Sequence, residues 1–344
     1  MVSYLIKIPS SSANIGPGFD ALGIALSLYL TLKVTIPGSS GGITISCEGE
    51  GKDLVNLDPK ENLITKTALQ VAKAVSKTLP ESISIHCKNE ISLGSGLGSS
   101  GSAVVAGVCL ANLALNLNLT KQQLLNFCLF IEGHPDNVSP SLLGGFISAY
   151  MREDFNFKKN DADSPTMDLL ACSDKPIGRY IRLPISDSIR AVTVTPNFQL
   201  PTVLARKALP DVYPKADVIF NIQRVSVLIQ ALGLPDSEIK LKENSSLIFE
   251  AMRDKIHQNY RQHLIPGLPE ILGLEQDSLE GLLGISISGA GPTVLALATS
   301  NFGKIGETIQ NIFAKQNTSD GKRLDSIVRI LDIDRNGVVI EQFE

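Results

Sequence analysis

Apolar and polar positions alternate along this chain in two periods, and the switch between them marks the elements. Tyr4 to Ile8 alternates with period two, a strand pattern, and Pro9 to Asp20 follows as a loop rich in turn formers. Leu28 to Ile36 and Ile43 to Cys47 are β-branched apolar runs around Pro37-Gly38-Ser39-Ser40-Gly41-Gly42, which predicts a hairpin. Asn62 opens a helix to about Leu79, with Ile64, Ala68, Val71, Val75 and Leu79 on one face. A strand at Ile83 to Cys87 precedes a helix opened by Ser99 or Ser100, apolar nearly all round and therefore central to its domain. Thr120 starts another, with Leu124, Leu125, Cys128 and Ile131 inward, and Leu142 to Ile147 reads as a small-residue strand.

Arg152 to Lys175 is charged and turn-rich, an exposed excursion that places a boundary between domains at 1–165 and 176–344. Strands at Tyr180 to Leu183 and Ala191 to Thr195 begin the second half. A short helix from Thr202, a long one from Pro214 to Leu232 and a helical run from Leu247 to Met252 come next. Strands Leu283 to Ser288 and Val294 to Ala298 flank Gly289-Ala290-Gly291-Pro292-Thr293, a glycine-rich turn. Helix Phe302 to Lys315 and strands Ile327 to Leu331 and Gly337 to Ile340 close the second domain. Helices and strands are mixed in both halves, which excludes an all-α or all-β chain, and an α+β class is expected.

Composition narrows the function. A net charge of −4 without a basic block excludes an electrostatic nucleic-acid footprint. The longest apolar run, Ala103 to Leu115, is too short for a bilayer, and the start lacks a signal-peptide core, so a cytoplasmic, non-membrane enzyme is expected. Five scattered cysteines have no zinc or redox spacing. Oligomeric state is not legible; a homodimer is the commonest soluble assembly.

The chemistry concentrates in three places. Leu93-Gly94-Ser95-Gly96-Leu97-Gly98-Ser99-Ser100-Gly101-Ser102 runs from a strand into a helix, where glycines admit positive φ and the helix N-terminus favours an anion. No Lys-Ser or Lys-Thr pair follows, so it is not a Walker A loop; a tight packing turn is the plain alternative. Glu132-Gly133-His134-Pro135-Asp136-Asn137 sets three ionisable side chains in five residues, broken by Gly and Pro, a poor structural stretch and a good site stretch. Arg206 and Arg261 lack acidic sequence neighbours. Each alone reads as a solvated charge, as Asn14 and Asp20 read as turn residues.

G-x-G-L-G-S-S resembles the phosphate loop of the GHMP small-molecule kinases. The stretches Pro9 to Asp20, Glu132 to Val138, Thr202 to Pro210, Tyr260 to Gly267 and Ser288 to Thr293 resemble, in the same order, segments of the homoserine kinases within that superfamily. The resemblance implies a two-domain GHMP kinase fold, N-terminal ribosomal protein S5 domain 2-like and C-terminal ferredoxin-like, with the site between. It implies transfer of the γ-phosphoryl of ATP, with Mg²⁺, to the side-chain hydroxyl of L-homoserine. By that resemblance, backbone N–H groups from Gly94 to Ser100 hold the nucleotide phosphates, and Asn62 approaches the adenine. Ser99 or Ser100 and Glu132 serve the metal. Arg206 and Arg261 meet the substrate carboxylate and Asp136, with His134, its ammonium. Asn14 and Asp20 orient the hydroxyl; Thr202 and Gly289 also touch substrate. Asn137 stands near where related sugar kinases carry an Asp, so catalysis by alignment without a strong base is expected. A mevalonate or sugar acceptor, or a non-catalytic nucleotide-binding relative, are the competing readings.

Overall fold

The computed structural model of the chain describes residues 2–37, 41–153, 176–317 and 321–343. In chain order its strands are β1 (Val2–Ala13), β2 (Leu22–Ile36), β3 (Gly42–Gly49), β4 (Ser82–Asn89), β5 (Phe146–Met151), β6 (Gly178–Leu183), β7 (Arg190–Pro196), β8 (Leu282–Ile287), β9 (Val294–Ala298), β10 (Ser326–Leu331) and β11 (Val339–Phe343). The helices are α1 (Leu63–Ala74), α2 (Ser99–Ala114), α3 (Lys121–Glu132), α4 (Pro135–Leu143), α5 (Thr202–Lys207), α6 (Lys215–Ala231), α7 (Asp236–Ile239), α8 (Lys242–Ala251), α9 (Gln258–Arg261), α10 (Leu268–Leu272) and α11 (Phe302–Phe313). The exposed excursion expected at Arg152 to Lys175 falls largely outside the described residues.

The first sheet runs β11-β1-β2-β4-β3, with β5 and then β6 added where the long β2 has passed β4. Leu30 to Thr35 of β2 pair with β4, and Leu22 to Ile24 pair with β5. The expected β2–β3 hairpin does not form. β4 lies between them, antiparallel to β2 and parallel to β3, with α1 as the crossover. The apolar runs identified strands, but pairing was decided by a segment some forty residues away. Likewise β1 does not stop at Ile8. It continues through Pro9-Ser10-Ser11-Ser12 after a bulge, with all three serines buried. These polar residues face another part of the protein rather than water.

The second sheet is antiparallel, order β10-β7-β9-β8, with α11 packed across β7 and β10. In chain order a strand, a helical segment, two strands, a helix and a strand make the β-α-β-β-α-β ferredoxin-like arrangement. On α11, Ile305, Ile309, Ile312 and Phe313 form one buried stripe of helical period. Two strands beyond residue 176 nevertheless belong to the first sheet: β6 pairs with β5, and β11 pairs with β1. The 165/176 division therefore does not separate the two sheets.

Several helices depart from the sequence pattern, and α8 starts at Lys242, before the expected Leu247. α1 ends at Ala74, not near Leu79. α2 is capped by Gly98 in the left-handed region, and no serine side chain caps it. Leu142 and Leu143 end α4 rather than open a strand; Pro135 sits in the first turn, where proline suits a helix start.

Candidate active site

The glycine loop enters α2 between the two sheets. Gly94, Gly96 and Gly98 all have positive φ (62°, 89° and 72°). Its carbonyls are taken: Gly94 O accepts from Leu200 N (3.2 Å), Ser95 O from Thr293 N (3.0 Å) and Leu97 O from Ser11 N (3.2 Å). Gly96 O accepts from the Ser288 hydroxyl at 2.7 Å, which in turn receives from Ser12 at 2.7 Å. Among the described residues, no backbone carbonyl engages an N–H from Gly94 to Gly101. Acceptors bound and donors left open is the arrangement an anion requires, and the α2 terminus, without a side-chain cap, adds its dipole.

Two cavities meet at this loop. The first, about 340 Å³, is polar and is lined by Asn14, Asp20, Glu132, His134, Asp136, Asn137, Thr202, Arg206, Arg261 and Gly289, together with the loop. The second, about 330 Å³, is largely apolar, walled by Leu30, Val55, Leu63, Ile64, Leu93 and Ala103 with Cys47 and Cys87. Gly94, Ser99 and Ser100 line both. Asn62 lines the second, yet its amide is occupied: Oδ1 caps α1 at Ile64 N (3.1 Å), and Nδ2 donates to Asn56 O (2.8 Å). Leu97 and Ser102 line neither. Leu97 is core, and the Ser102 hydroxyl donates to Pro9 O at 3.1 Å.

Gly133 in the left-handed region ends α3, and His134 in extended backbone starts α4. This turn brings Glu132, His134 and Asp136 to one wall. His134 Nδ1 lies 2.7 Å from Asp136 Oδ1, and Nε2 lies 3.7 Å from Glu132. Burial opposes charge on His134, but the Asp136 hydrogen bond and the two carboxylates outweigh it and raise its pKa above the ordinary value. Burial pushes the Glu132 carboxyl up, with His134 opposing. The Ser100 hydroxyl points at Glu132 Oε2 (3.5 Å). Two hard oxygen donors at the phosphate end of the cavity suit a small divalent cation, whose charge would offset what burial costs Glu132. Asn137 turns to the loop instead, its Oδ1 accepting from Ser11 Oγ at 3.1 Å.

The loop from Asn14 to Asp20 is strained: Asn14, Ile15 and Asp20 hold positive φ, and Ile15 is β-branched. Asn14 fixes it, donating to Gly289 O (2.9 Å) and accepting from Asp20 N (3.0 Å). Asp20 is not isolated, as its sequence neighbours suggested. Arg206, from α5, forks onto it with two bonds. Both residues expected to orient a hydroxyl thus carry structural bonds as well. Thr202 is the first residue of α5 and is exposed. Arg261 is 2% exposed and forms no ion pair with a carboxylate among the described residues.

Sequence reasoning missed Ser11, Ser12 and Ser288, which hold the loop. It missed Phe19, whose ring lies 5.2 Å from the Arg261 guanidinium carbon and 5.8 Å from that of Arg206. Phe19 lies in the stretch Pro9 to Asp20, and that is its only signal in the sequence.

The GHMP kinases N terminal domain matches residues 62–145, the stretch holding α1, the loop and the ionisable turn. The fold aligns with the crystal structure of homoserine kinase from Cytophaga hutchinsonii at TM-score 0.74 and 26% identity, covering 98% of this chain and 97% of that one. Mevalonate kinase of L. major shares the fold alone (TM-score 0.59, 15% identity, 97% and 95% covered). Fold and site together define a GHMP-type small-molecule kinase. Homoserine kinase of Schizosaccharomyces pombe is 46% identical over 92% of this chain and 94% of its own length. That of Saccharomyces cerevisiae is 41% identical over 91% and 93%. The chain belongs to the homoserine kinase family. No helix among the described residues is long and apolar enough to cross a membrane.

Proposed function

We propose that the protein transfers the γ-phosphoryl group of ATP to the side-chain hydroxyl of L-homoserine, giving O-phospho-L-homoserine on the way to threonine. The observation that carries this reading is Arg261, a buried guanidinium in the acceptor cavity without a carboxylate partner among the described residues. A buried charge needs a counter-charge, and a substrate carboxylate supplies one in the planar geometry a guanidinium matches. A neutral sugar would not.

The apolar cavity takes the nucleoside, the open N–H groups of the loop take the phosphates, and the polar cavity takes the acceptor. Asp136, buried at 3% exposed, faces the substrate ammonium with His134 beside it. Glu132 and Ser100 would hold Mg²⁺, which supplies charge neutralisation at the transferring group. His134 Nδ1 is bonded to Asp136, and the two carboxylates favour its charged form against burial, which works against the free imidazole that a proton acceptor needs. The chain's own contribution is therefore alignment of the hydroxyl rather than proton removal before attack.

A coupled ADP-release assay with homoserine, mevalonate, galactose and no acceptor tests this. Turnover with homoserine alone is expected. A homoserine rate equal to the blank, or a better rate with mevalonate, overturns it.

A further inference from the structure

Arg261 lies among the largest fully buried side chains described, and everything that holds it is uncharged. Nε donates to Ala205 O (3.1 Å), and Nη1 donates to Gly289 O (3.0 Å). Nη1 also lies 3.3 Å from Nδ1 of His257, four residues earlier. Among the described residues, Nη2 has no hydrogen-bond partner, so it is the end that faces the cavity.

His257 is wholly buried, and its Nε2 sits 2.8 Å from Gly16 O. A carbonyl only accepts, so Nε2 carries the hydrogen, and in a neutral ring Nδ1 is then a lone pair aimed at Arg261. Phe19 stacks on the imidazole (centroids 5.3 Å apart, planes 24° apart) and also underlies Arg261. Asp254 holds the main chain that carries the ring, and its Oδ2 lies 3.7 Å from Nε2. Its carboxylate accepts from the N–H groups of His257 (2.9 Å), Gln258 (2.7 Å) and Ile256 (3.0 Å), and from Asn221 (2.6 Å).

We infer that neutral His257 is the positioning residue that aims Arg261 at the carboxylate of the acceptor. The inference rests on the reading in which Arg261 meets a carboxylate. The charged groups around the ring are Asp254, Arg261 and Asp20. Burial pushes the His257 pKa down, Asp254 opposing and Arg261 adding to it. A protonated ring would turn N–H against N–H at the contact with Arg261 and release the guanidinium from one of its three anchors.

The test uses the full chain, with homoserine and its carboxylate-free counterpart 3-aminopropan-1-ol as acceptors. His257→Gln keeps a donor toward Gly16 and removes the acceptor toward Arg261; His257→Asn keeps an acceptor near the Nδ1 position. His257→Gln should raise the homoserine KM about ten-fold, the size of one hydrogen bond to a charged group, with kcat and the ATP KM little changed. His257→Asn should recover most of that loss, and 3-aminopropan-1-ol should respond to neither. In an Arg261→Leu background, His257→Gln should add nothing.

If Arg261→Leu leaves the homoserine KM unchanged, the carboxylate reading itself falls. If Arg261→Leu raises it and His257→Gln does not, only the positioning role falls. Equal damage to the ATP KM and to both acceptors would make His257 a packing residue. Should neither variant fold, ¹⁵N-histidine spectra of the unmodified protein decide. An unprotonated Nδ1 is expected through the range where ordinary histidine titrates, around pH 6.5, and an imidazolium there overturns the inference.

Discussion

Arg206 and Asp20 close on one another with two parallel bonds, Nη1 to Oδ2 at 3.0 Å and Nη2 to Oδ1 at 2.8 Å, across 186 residues of sequence. The pair joins the strained loop after β1 to α5, so one wall of the acceptor cavity is a contact between the two halves of the chain. A substrate carboxylate at Arg206 must share the guanidinium with Asp20, whereas Arg261 has no such competitor.

Arg206 is 38% and Asp20 34% exposed, so solvent screens the pair and its contribution to stability is small. Its importance is geometric. Arg206→Leu and Asp20→Asn should each raise the homoserine KM, by about ten-fold for loss of one charge-assisted contact. The ATP KM should stay put, and the double variant should be no worse than the more damaging single one. Steady-state kinetics on the three proteins checks this. Additive losses would mean that the two residues act on substrate separately.

The glycine loop tolerates no Cβ at two positions, for different reasons. At Gly98 the added atom would stand 2.1 Å from the Ser11 hydroxyl; at Gly96 it would stand 2.3 Å from the main-chain oxygen of Ser288. Gly98→Ala and Gly96→Ala should each cost about 1–3 kcal/mol through left-handed strain alone, more with the clash, and weaken ATP binding. Ser11→Ala should recover part of the Gly98→Ala loss. Ser288→Ala should recover nothing of the Gly96→Ala loss, because the obstacle there is backbone. Thermal unfolding of the singles and doubles reads the difference.

Glu132 sets a pH dependence whose sign follows from its raised pKa. Its ionised form burdens the unliganded fold, and that burden is relieved as pH falls through the raised folded value toward the ordinary 4.5. Activity runs the other way if the carboxylate binds Mg²⁺: turnover should fall on that same descent, above the range of a free glutamate. Raising Mg²⁺ should move the acid limb to lower pH, since a bound cation favours the charged form. Glu132→Gln should lower kcat and remove this linkage. An acid limb indifferent to Mg²⁺ would assign the metal elsewhere.

Cys47 and Cys87 face each other in the parallel β3–β4 register and line the apolar cavity. A hydrogen bond from Cys87 brings the Cys47 thiol down to about 7, with burial opposing, while Cys87 is pushed up. Iodoacetamide at mildly alkaline pH should therefore label Cys47 before Cys87, Cys109 or Cys128. ATP should slow that labelling and homoserine should not, as peptide mapping would show. Labelling indifferent to ATP would move the nucleoside out of this cavity.

What the sequence revealed, and what it hid, follows from how far each contact reaches along the chain. The glycine loop and the Glu132–Asp136 turn are local, and their residue types and spacing alone point to a phosphate loop and an ionisable site stretch. Short apolar stretches likewise located β4, β7, β8, β9 and β10. They could not say that β4 separates β2 from β3, because pairing is decided by segments distant in sequence. Ser10-Ser11-Ser12 read as loop because polar residues ordinarily face water. Here they complete a strand and bond across to Ser288 and Asn137. The Arg206–Asp20 fork and the His257–Gly16 bond join residues 186 and 241 apart, and no local pattern signals either.

The pairing of β11 with β1 has a consequence for biogenesis. β1 borders the nucleotide half and contributes Ser11 and Ser12 to the loop's support, yet its outer neighbour is a strand translated more than three hundred residues later. Until β11 emerges from the ribosome, β1 presents a row of unpaired N–H and C=O groups, an invitation to pair with another nascent chain. The time between synthesis of the phosphate loop and closure of its sheet is thus the interval in which a chaperone has most to protect. A ribosome-bound chain ending after β10 should engage such a chaperone more strongly than one that has released β11.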